Sequence, residues 1–174
     1  MKPVKCGTCQ KPIALSHLFD HEVAIHQKLP RQITLGEEKH YPIKIPGFVN
    51  FRLRVLITSN NDCKFFINLE NYDTNLAMCW ISFGGTQMEA EDYEYTIKIK
   101  NSTEKRDKRR YLFTGKRECV SCDVSYEDMK KKGSALFLNK DMLESAAIQN
   151  DGEFLKFECV LLIKQELFDF SANL

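Results

Sequence analysis

Residues 51–70 read FRLRVLITSNNDCKFFINLE, and this stretch decides the fold class. In its first half, apolar side chains alternate with Arg52 and Arg54, which is the two-residue period of a strand with one buried face. Asparagine and aspartate at 60–62 favour a tight turn, and an apolar run follows directly. The stretch therefore predicts an antiparallel β-hairpin.

Similar strand patterns recur along the rest of the chain. The further predicted strands are YPIKI (41–45), LAMCWISFG (76–84), YEYTIKIKN (93–101), RRYLFTG (109–115), SALFL (134–138) and FLKFECVLLI (154–163). A short helix is predicted over 140–148, with Asn139 as its N-cap and Gly152 near its exit. About eight strands without alternating helices indicate a mainly β fold, an antiparallel sandwich.

The composition is that of a globular domain that can build a core. Hydrophobic residues make up 43% and charged residues 28% of the 174 positions, with a formal net charge of +1. So small a charge excludes a global attraction to nucleic acid or to an anionic membrane. Neither a membrane-length apolar run nor the apolar segment of a signal peptide is found. We therefore expect a cytoplasmic protein, with the nucleus as a second location.

Potential metal ligands are concentrated in the first 28 residues, which hold two of the seven cysteines and three of the four histidines. Cys6, Cys9, His21 and His26 follow the spacing Cys-x2-Cys-x11-His-x4-His, close to the Cys2His2 zinc pattern. Mixed sulfur and nitrogen ligands suit Zn²⁺, and four protein ligands indicate one structural ion. The alternative pair, His17 with His21, leaves only seven residues after Cys9 for the turn.

The predicted finger is too small to fold without its metal. Ser16 is expected to cap the helix that carries the histidines, and Leu18 with Val23 or Ile25 is expected to pack beneath the ion. About 25 residues bury too little apolar surface to order themselves, so metal binding would supply most of the folding free energy.

The order of these elements resembles the carboxy-terminal half of the seven in absentia (Siah-type) RING ubiquitin ligases. The resemblance covers nearly the whole chain. It rests on the Cys and His-x4-His residues of the finger and on three stretches, VLITSNNDCKFFINLE, YTIKIKNSTEKRDKRRYLFTG and GSALFLNKDMLESAAIQNDGEFLKFECVLLI. It implies a Siah-type zinc finger over 1–30 and an eight-stranded, antiparallel TRAF-like β-sandwich over 31–174.

Two departures from the family pattern limit which family properties are expected of this chain. The first two zinc cysteines are closer together here than is usual in the family. The RING domain and the first of the family's two fingers are absent from this chain. Ubiquitin transfer is therefore not expected of the chain alone, and a ubiquitin-conjugating enzyme would be a partner only if a RING lies upstream.

What the resemblance implies is substrate capture by a homodimer that forms through the sandwich. In the family, an extended peptide degron pairs with the first long strand in the strand-addition mode. The outward face of the matching strand here, by alternation, consists of Arg52, Arg54, Leu56 and Thr58. Because guanidinium groups pair with carboxylates, peptides with acidic residues around a short apolar core are expected. The alternative is that the two arginines only solvate an exposed face.

Other motifs carry weaker signals. The basic segment 100–110 could touch phosphates, but it includes acidic residues and lacks interleaved aromatics, so a solvated hairpin loop is favoured. Cys119 and Cys122 form a second CxxC without further ligands at metal spacing, and they are interpreted as loop thiols. The sequence contains no Gly-rich phosphate loop, GxSxG or HExxH motif, so we do not expect an independent enzyme.

Three hypotheses from different classes follow. The first is the substrate-recognition module of a Siah-type ubiquitin ligase. The second is a RING-less adaptor or scaffold of the same fold. The third is a nucleic-acid-associated zinc finger protein that uses His21, His26 and the basic loop.

Overall fold

A computed structural model describes residues 3–6, 8–48, 50–102, 110–150 and 153–166 of the chain. The fold is mainly β, as predicted. Each of the eight segments predicted from the sequence to be extended contains a strand. Shorter strands and two further helices accompany them.

The elements are numbered in chain order. The strands are β1 (Val4–Lys5), β2 (Pro12–Ile13), β3 (Arg31–Ile33), β4 (Lys39–Pro46), β5 (Arg52–Ser59), β6 (Lys64–Asn71), β7 (Leu76–Phe83), β8 (Tyr93–Lys100), β9 (Tyr111–Glu118), β10 (Val120–Ser121), β11 (Leu136–Asn139), β12 (Gln149–Asn150) and β13 (Phe154–Gln165). The helices are α1 (Leu15–His26), α2 (Gln87–Ala90), α3 (Tyr126–Lys132) and α4 (Lys140–Ala146).

Apart from the small β1–β2 pair, the strands form two sheets. The first has the order β10-β7-β6-β5-β3, with β11 also paired to β7. The second has the order β12-β13-β8-β9, with β4 also paired to β13. Pairing is antiparallel throughout, except that the short strands β3 and β10 run parallel to their neighbours β5 and β7.

One hydrophobic cluster joins the two sheets. Phe65 and Ile67 enter it from β6, while Tyr95 and Phe157 enter it from β8 and β13. Both sheets therefore bury side chains in the same core. The one polar atom that Tyr95 brings into this core is satisfied, since its hydroxyl donates to the carbonyl of Ser134 at 2.9 Å.

The predicted turn between β5 and β6 is present. The hydroxyl of Ser59 accepts hydrogen bonds from the backbone N–H groups of Asn61 and Cys63, at 3.3 and 3.1 Å. Asp62 has a φ of 58°, a left-handed conformation that aspartate tolerates better than most residues. These bonds fix the register in which Thr58 pairs with Lys64.

The carboxy-terminal helix also follows the prediction. The side chain of Asn139 accepts from the backbone N–H groups of Asp141 and Met142, and so caps α4. Gly152, expected near the helix exit, lies outside the described residues, as do positions 103–109 of the basic segment. No helix in the described part of the chain is long and apolar enough to cross a membrane.

Helix α1 differs from the prediction at its start. Its N-cap is Ala14, which makes no side-chain cap, and Ser16 lies inside the first turn, so the predicted Ser16 cap is wrong. A start at Leu15 places Leu15, Leu18 and Phe19 on one buried face of the helix, because residues three and four apart share a face. Burial of this face, and not a capping hydroxyl, decides where the helix begins.

The segment that carries the predicted metal ligands packs on the outer face of the first sheet. Cys6, Leu18 and Phe19 form a second hydrophobic cluster with Leu56 of β5 and Phe66 of β6. The rings of Phe19 and Phe66 meet edge to face with centroids 5.6 Å apart. Val23 packs against this cluster as expected, whereas Ile25 is 63% exposed and does not.

Candidate metal centre and the neighbouring strand face

The two predicted cysteine ligands lie in a tight loop between β1 and β2. The backbone N–H of Gln10 donates to the carbonyl of Cys6, and the N–H of Cys6 donates to the carbonyl of Lys11, each at 2.9 Å. Gln10 itself has a φ of 61°. These bonds fold the chain back within a few residues and direct both thiols toward α1.

The two histidine ligands lie in the second half of α1. His26 is its last residue, and Gln27 ends the helix in a left-handed conformation with a φ of 51°. The two imidazole rings lie edge to face with centroids 5.0 Å apart. His17, the alternative considered from the spacing, is exposed on the same helix and does not belong to the cluster.

The structure brings the ligand atoms of Cys6, Cys9, His21 and His26 within 4.8 Å of one another. The Sγ of Cys6 lies 3.3 Å from Nε2 of His26, and the Sγ of Cys9 lies 3.4 Å from Nε2 of His21. A tetrahedral zinc ion separates a sulfur from a nitrogen ligand by roughly 3.5 Å. The spacing of the side chains therefore fits one such ion.

A fully buried carboxylate, Glu22, lies beside this cluster. Its Oε1 is 3.3 Å from the Sγ of Cys6, and its Oε2 accepts from the hydroxyl of Thr8 at 3.1 Å. The ammonium of Lys28 lies 2.7 Å from Oε2, and the Nη1 of Arg54 lies 3.6 Å from Oε1. Two cations from different parts of the fold thus converge on one carboxylate.

The two cations decide the ionisation state of this carboxyl group. Burial raises the pKa of Glu22, but the hydrogen bond and charge of Lys28, the hydrogen bond from Cys6 and the charge of Arg54 together lower it below its ordinary value. Burial also raises the pKa of the Cys6 thiol. A divalent cation would supply the opposite charge that stabilises the Cys6 thiolate.

The face of β5 that was predicted to bind peptide is largely covered. The two-residue period correctly places Leu56 on the outer side of the sheet. Leu56 is nevertheless only 1% exposed, because α1 packs over it. Arg54 donates from Nε to Asn68 at 2.9 Å and lies over the ring of Phe66. The expectation of an open outward row is therefore wrong for Leu56, while Arg54 and Thr58 are half-buried and Arg52 is exposed.

One edge of β5 is open in its first half. On one side, β6 pairs with β5 from Arg52 to Thr58. On the other side, β3 pairs only with Ile57–Ser59. From Arg52 to Leu56, this edge has no neighbouring strand in the part of the chain that the structure describes.

The second CxxC pair is not joined by a third potential ligand among the described residues. Cys119 is buried in the main core, and Cys122 packs against the cluster that Cys6 and Leu18 form with the sheet. Burial raises the pKa of Cys122 to about 12, with a smaller lowering by Arg54, and burial also raises the pKa of Cys119. Among the described residues, the Cys2His2 group is the one cluster with metal-ligating potential.

Comparison of the sequence with models of protein families and with curated proteins gave no match. The case for a function therefore depends on the motifs of the chain and on the geometry of its side chains. The four clustered ligands, the buried Glu22 and the open edge of β5 are the features that a function must explain.

Proposed function

We propose that this chain is a zinc-stabilised peptide-binding module that recognises substrates for a Siah-type ubiquitin ligase. The observation that carries the proposal is the convergence of two thiols and two imidazoles to within 4.8 Å. In the proposed fold, the eight longest predicted strands form a TRAF-like sandwich, and the finger braces its outer face. The sequence resemblance supports the assignment of substrate recognition to this half of a ligase.

The proposed metal is one structural Zn²⁺ ion. Cys6, Cys9, His21 and His26 would hold it, and because all four tetrahedral positions would be filled by protein, no position remains for a reacting water. The finger packs only a small apolar cluster against the sheet, so the ion would contribute a large share of its folding free energy. The ion supports the fold and does not act on a substrate.

The proposed peptide site is the open edge of β5. Between Arg52 and Leu56, the backbone N–H and C=O groups that point away from β6 have no partner strand among the described residues, which is the requirement for strand addition. Arg52 lies at the start of this edge and is exposed, so it can pair with a carboxylate of the peptide. Arg54 has a structural role, because it is held between Asn68 and Glu22.

Peptide selection followed by backbone methylation tests this mode of binding. Peptides would be selected from a random displayed library on the zinc-loaded chain, and each amide of a selected peptide would be N-methylated in turn. Strand addition predicts that alternate methyl groups abolish binding, because only alternate N–H groups point at the edge. Arg52→Gln should weaken the binding of an acidic selected peptide by about tenfold, because it removes the cation without placing a second carboxylate against the buried Glu70.

The control substitution is Arg110→Gln, which makes the same charge change at an exposed arginine outside β5. Arg110→Gln should leave the affinity unchanged. Charge reversal at Arg52 or Arg54 is unsuitable, since a new carboxylate would face the buried Glu70 or Glu22. If every methylation weakened binding equally, or if Arg52→Gln and Arg110→Gln had the same effect, the edge of β5 would not be the site.

A further inference from the structure

A cleft of about 560 Å³ lies on the outer face of the first sheet, between the finger and α3. Pro3, Lys5 and Gln10 of the finger form one wall, and Tyr126 and Met129 of α3 form the other. The floor crosses β5, β6 and β7. The volume falls within the range of roughly 300–1,000 Å³ that is typical of ligand sites.

Three hydrogen-bond donors in the lining of this cleft have no partner among the described residues. Trp80 and Tyr126 meet edge to face with ring centroids 6.4 Å apart. Within the described residues, neither the indole N–H of Trp80 nor the hydroxyl of Tyr126 makes a hydrogen bond, and Lys5 forms no ion pair. Arg52 adds a second exposed cation at the same rim.

Two acceptors on the floor of the cleft, the side chains of Glu70 and Asn68, are committed to other groups. Glu70 on the floor is buried and accepts from the Nε of Arg52 at 2.7 Å. The side chain of Asn68 accepts from Arg54 and donates to Ser82 at 3.0 Å. A ligand that pairs with Lys5 and Arg52 and accepts from Trp80 and Tyr126 brings acceptors and negative charge, and its flat or apolar parts can lie on the two aromatic rings.

We propose that this cleft is a binding site for an extended acidic peptide. The inference rests on the proposed function, because the metal-loaded finger supplies one wall and a peptide is the ligand class. Lys5 and Arg52 pair with carboxylates of the peptide, and Trp80 and Tyr126 donate to its carbonyl oxygens. The cleft lies on the face of the sheet and binds side chains of the peptide, whereas the edge of β5 pairs with a peptide backbone, and Arg52 lies where the two meet.

The acidic residues around the cleft favour a peptide over a nucleic acid. Glu70 lies on its floor and Asp123 at its rim, and Glu127 and Asp128 follow in the first turn of α3. A continuous row of phosphates would pass close to these carboxylates and be repelled. The carboxylates of a peptide can be spaced by neutral residues so that they meet Lys5 and Arg52 alone.

The chain has one tryptophan, Trp80, so its fluorescence reports on this cleft. The zinc-loaded protein would be titrated with a short, end-blocked peptide of alternating glutamate and alanine, and with matched peptides that carry lysine or serine. We expect a saturable change in Trp80 emission with the glutamate peptide alone. Chelation of the metal should abolish the response, because Lys5 and Gln10 belong to the finger.

Lys5→Glu and Lys11→Glu form a matched pair of variants. Both lysines are exposed in the finger, but only Lys5 lines the cleft. Lys5→Glu should weaken the affinity for the glutamate peptide by about tenfold, because one charge-assisted contact is lost. Lys11→Glu should leave this affinity unchanged. Because both side chains are exposed, neither change should affect folding.

Several outcomes would overturn the inference. They are an unchanged Trp80 emission with the glutamate peptide, an equal effect of the two lysine reversals, or a response to single-stranded oligothymidylate in place of the peptide. If a library-selected peptide bound the edge of β5 but left Trp80 emission unchanged, the cleft would be excluded as a peptide site, while the proposed function would stand. Absence of any selected peptide would contradict the proposed function itself.

Discussion

Glu22 carries its charge at a fully buried position, where a charge is costly unless it is paired. Lys28 from the end of the finger and Arg54 from β5 provide the pairing. The sequence offered one clue, since Glu22 lies four positions after Leu18 and so on the buried face of α1. The partner Arg54 could not be inferred, because it is distant along the chain and had been assigned to an open surface.

Replacing this carboxylate should destabilise the protein more than replacing its exposed neighbour. Glu22→Gln leaves Lys28 and Arg54 without their carboxylate partner. Because these two side chains are only 27% and 19% exposed, we expect a loss of about 2 kcal/mol in the free energy of unfolding. Asp20 lies on the same helix as Glu22 and pairs with Lys64 of β6. Because Asp20 is 67% exposed, Asp20→Asn should lower the free energy of unfolding by less than about 1 kcal/mol.

Urea unfolding of the zinc-loaded variants measures this difference. Asp20→Asn serves as the control because it removes a carboxylate that also connects α1 to the sheet, though not one beside the cysteines. If both variants lost the same free energy of unfolding, the pairing of Lys28 and Arg54 with Glu22 would stabilise the protein no more than the exposed pair does.

At the scale of elements, alternation of side chains identified strands well and identified their surroundings poorly. In β8, alternate residues from Tyr93 to Ile99 are buried as the period of two predicts. In β5, the same reasoning gave the correct side for Leu56 but not its burial, because the covering helix comes from a distant part of the sequence. Periodicity reports the pleat of a strand and carries no information on which element packs against it.

The short helices show a related limit. Helix α4 could be predicted from its cap, whereas α3 buries only Met129 and has no apolar face to reveal it. The cluster of Cys6, Cys9, His21 and His26 could be predicted because these residues lie close together in sequence and have a recognisable spacing. The open cleft beside them could not, because its walls come from separate elements.

The cap of α4 gives a prediction at this scale. Asn139→Ala removes the acceptor for the N–H groups of Asp141 and Met142, and should lower the free energy of unfolding by about 1 kcal/mol. Asn139→Asp keeps an acceptor oxygen and should restore most of that loss. Chemical denaturation of both variants provides the measurement, and a loss that aspartate does not restore would show that the cap bond is not the cause.

At the scale of the whole molecule, the Cys2His2 cluster and the sheet share one set of contacts. Cys6 lies in the same apolar cluster as Leu56 and Phe66, and Glu22 connects that cysteine to Arg54. Because side chains of both the finger and the sheet form this apolar cluster, we expect the finger and the sheet to stabilise each other. Loss of the metal should therefore reach β5, and not only the finger.

Leu56→Ala tests this coupling. With zinc bound, Leu56 is buried beneath α1, so the substitution should cost about 3 kcal/mol in the free energy of unfolding. After chelation, the finger should no longer cover Leu56, and the cost should fall to less than half of that value. Thermal or urea unfolding with and without chelator measures both costs, and an equal cost in the two states would show that the finger packs on β5 without its metal.

The central claim is that Cys6, Cys9, His21 and His26 hold one zinc ion, and elemental analysis of the purified chain tests it most directly. We predict about one zinc per chain in the wild type and in Cys63→Ser, whose cysteine lies outside the cluster, with the metal lost in Cys9→Ser. A wild-type chain without zinc, or a Cys9→Ser variant that keeps its full zinc content, would contradict the account.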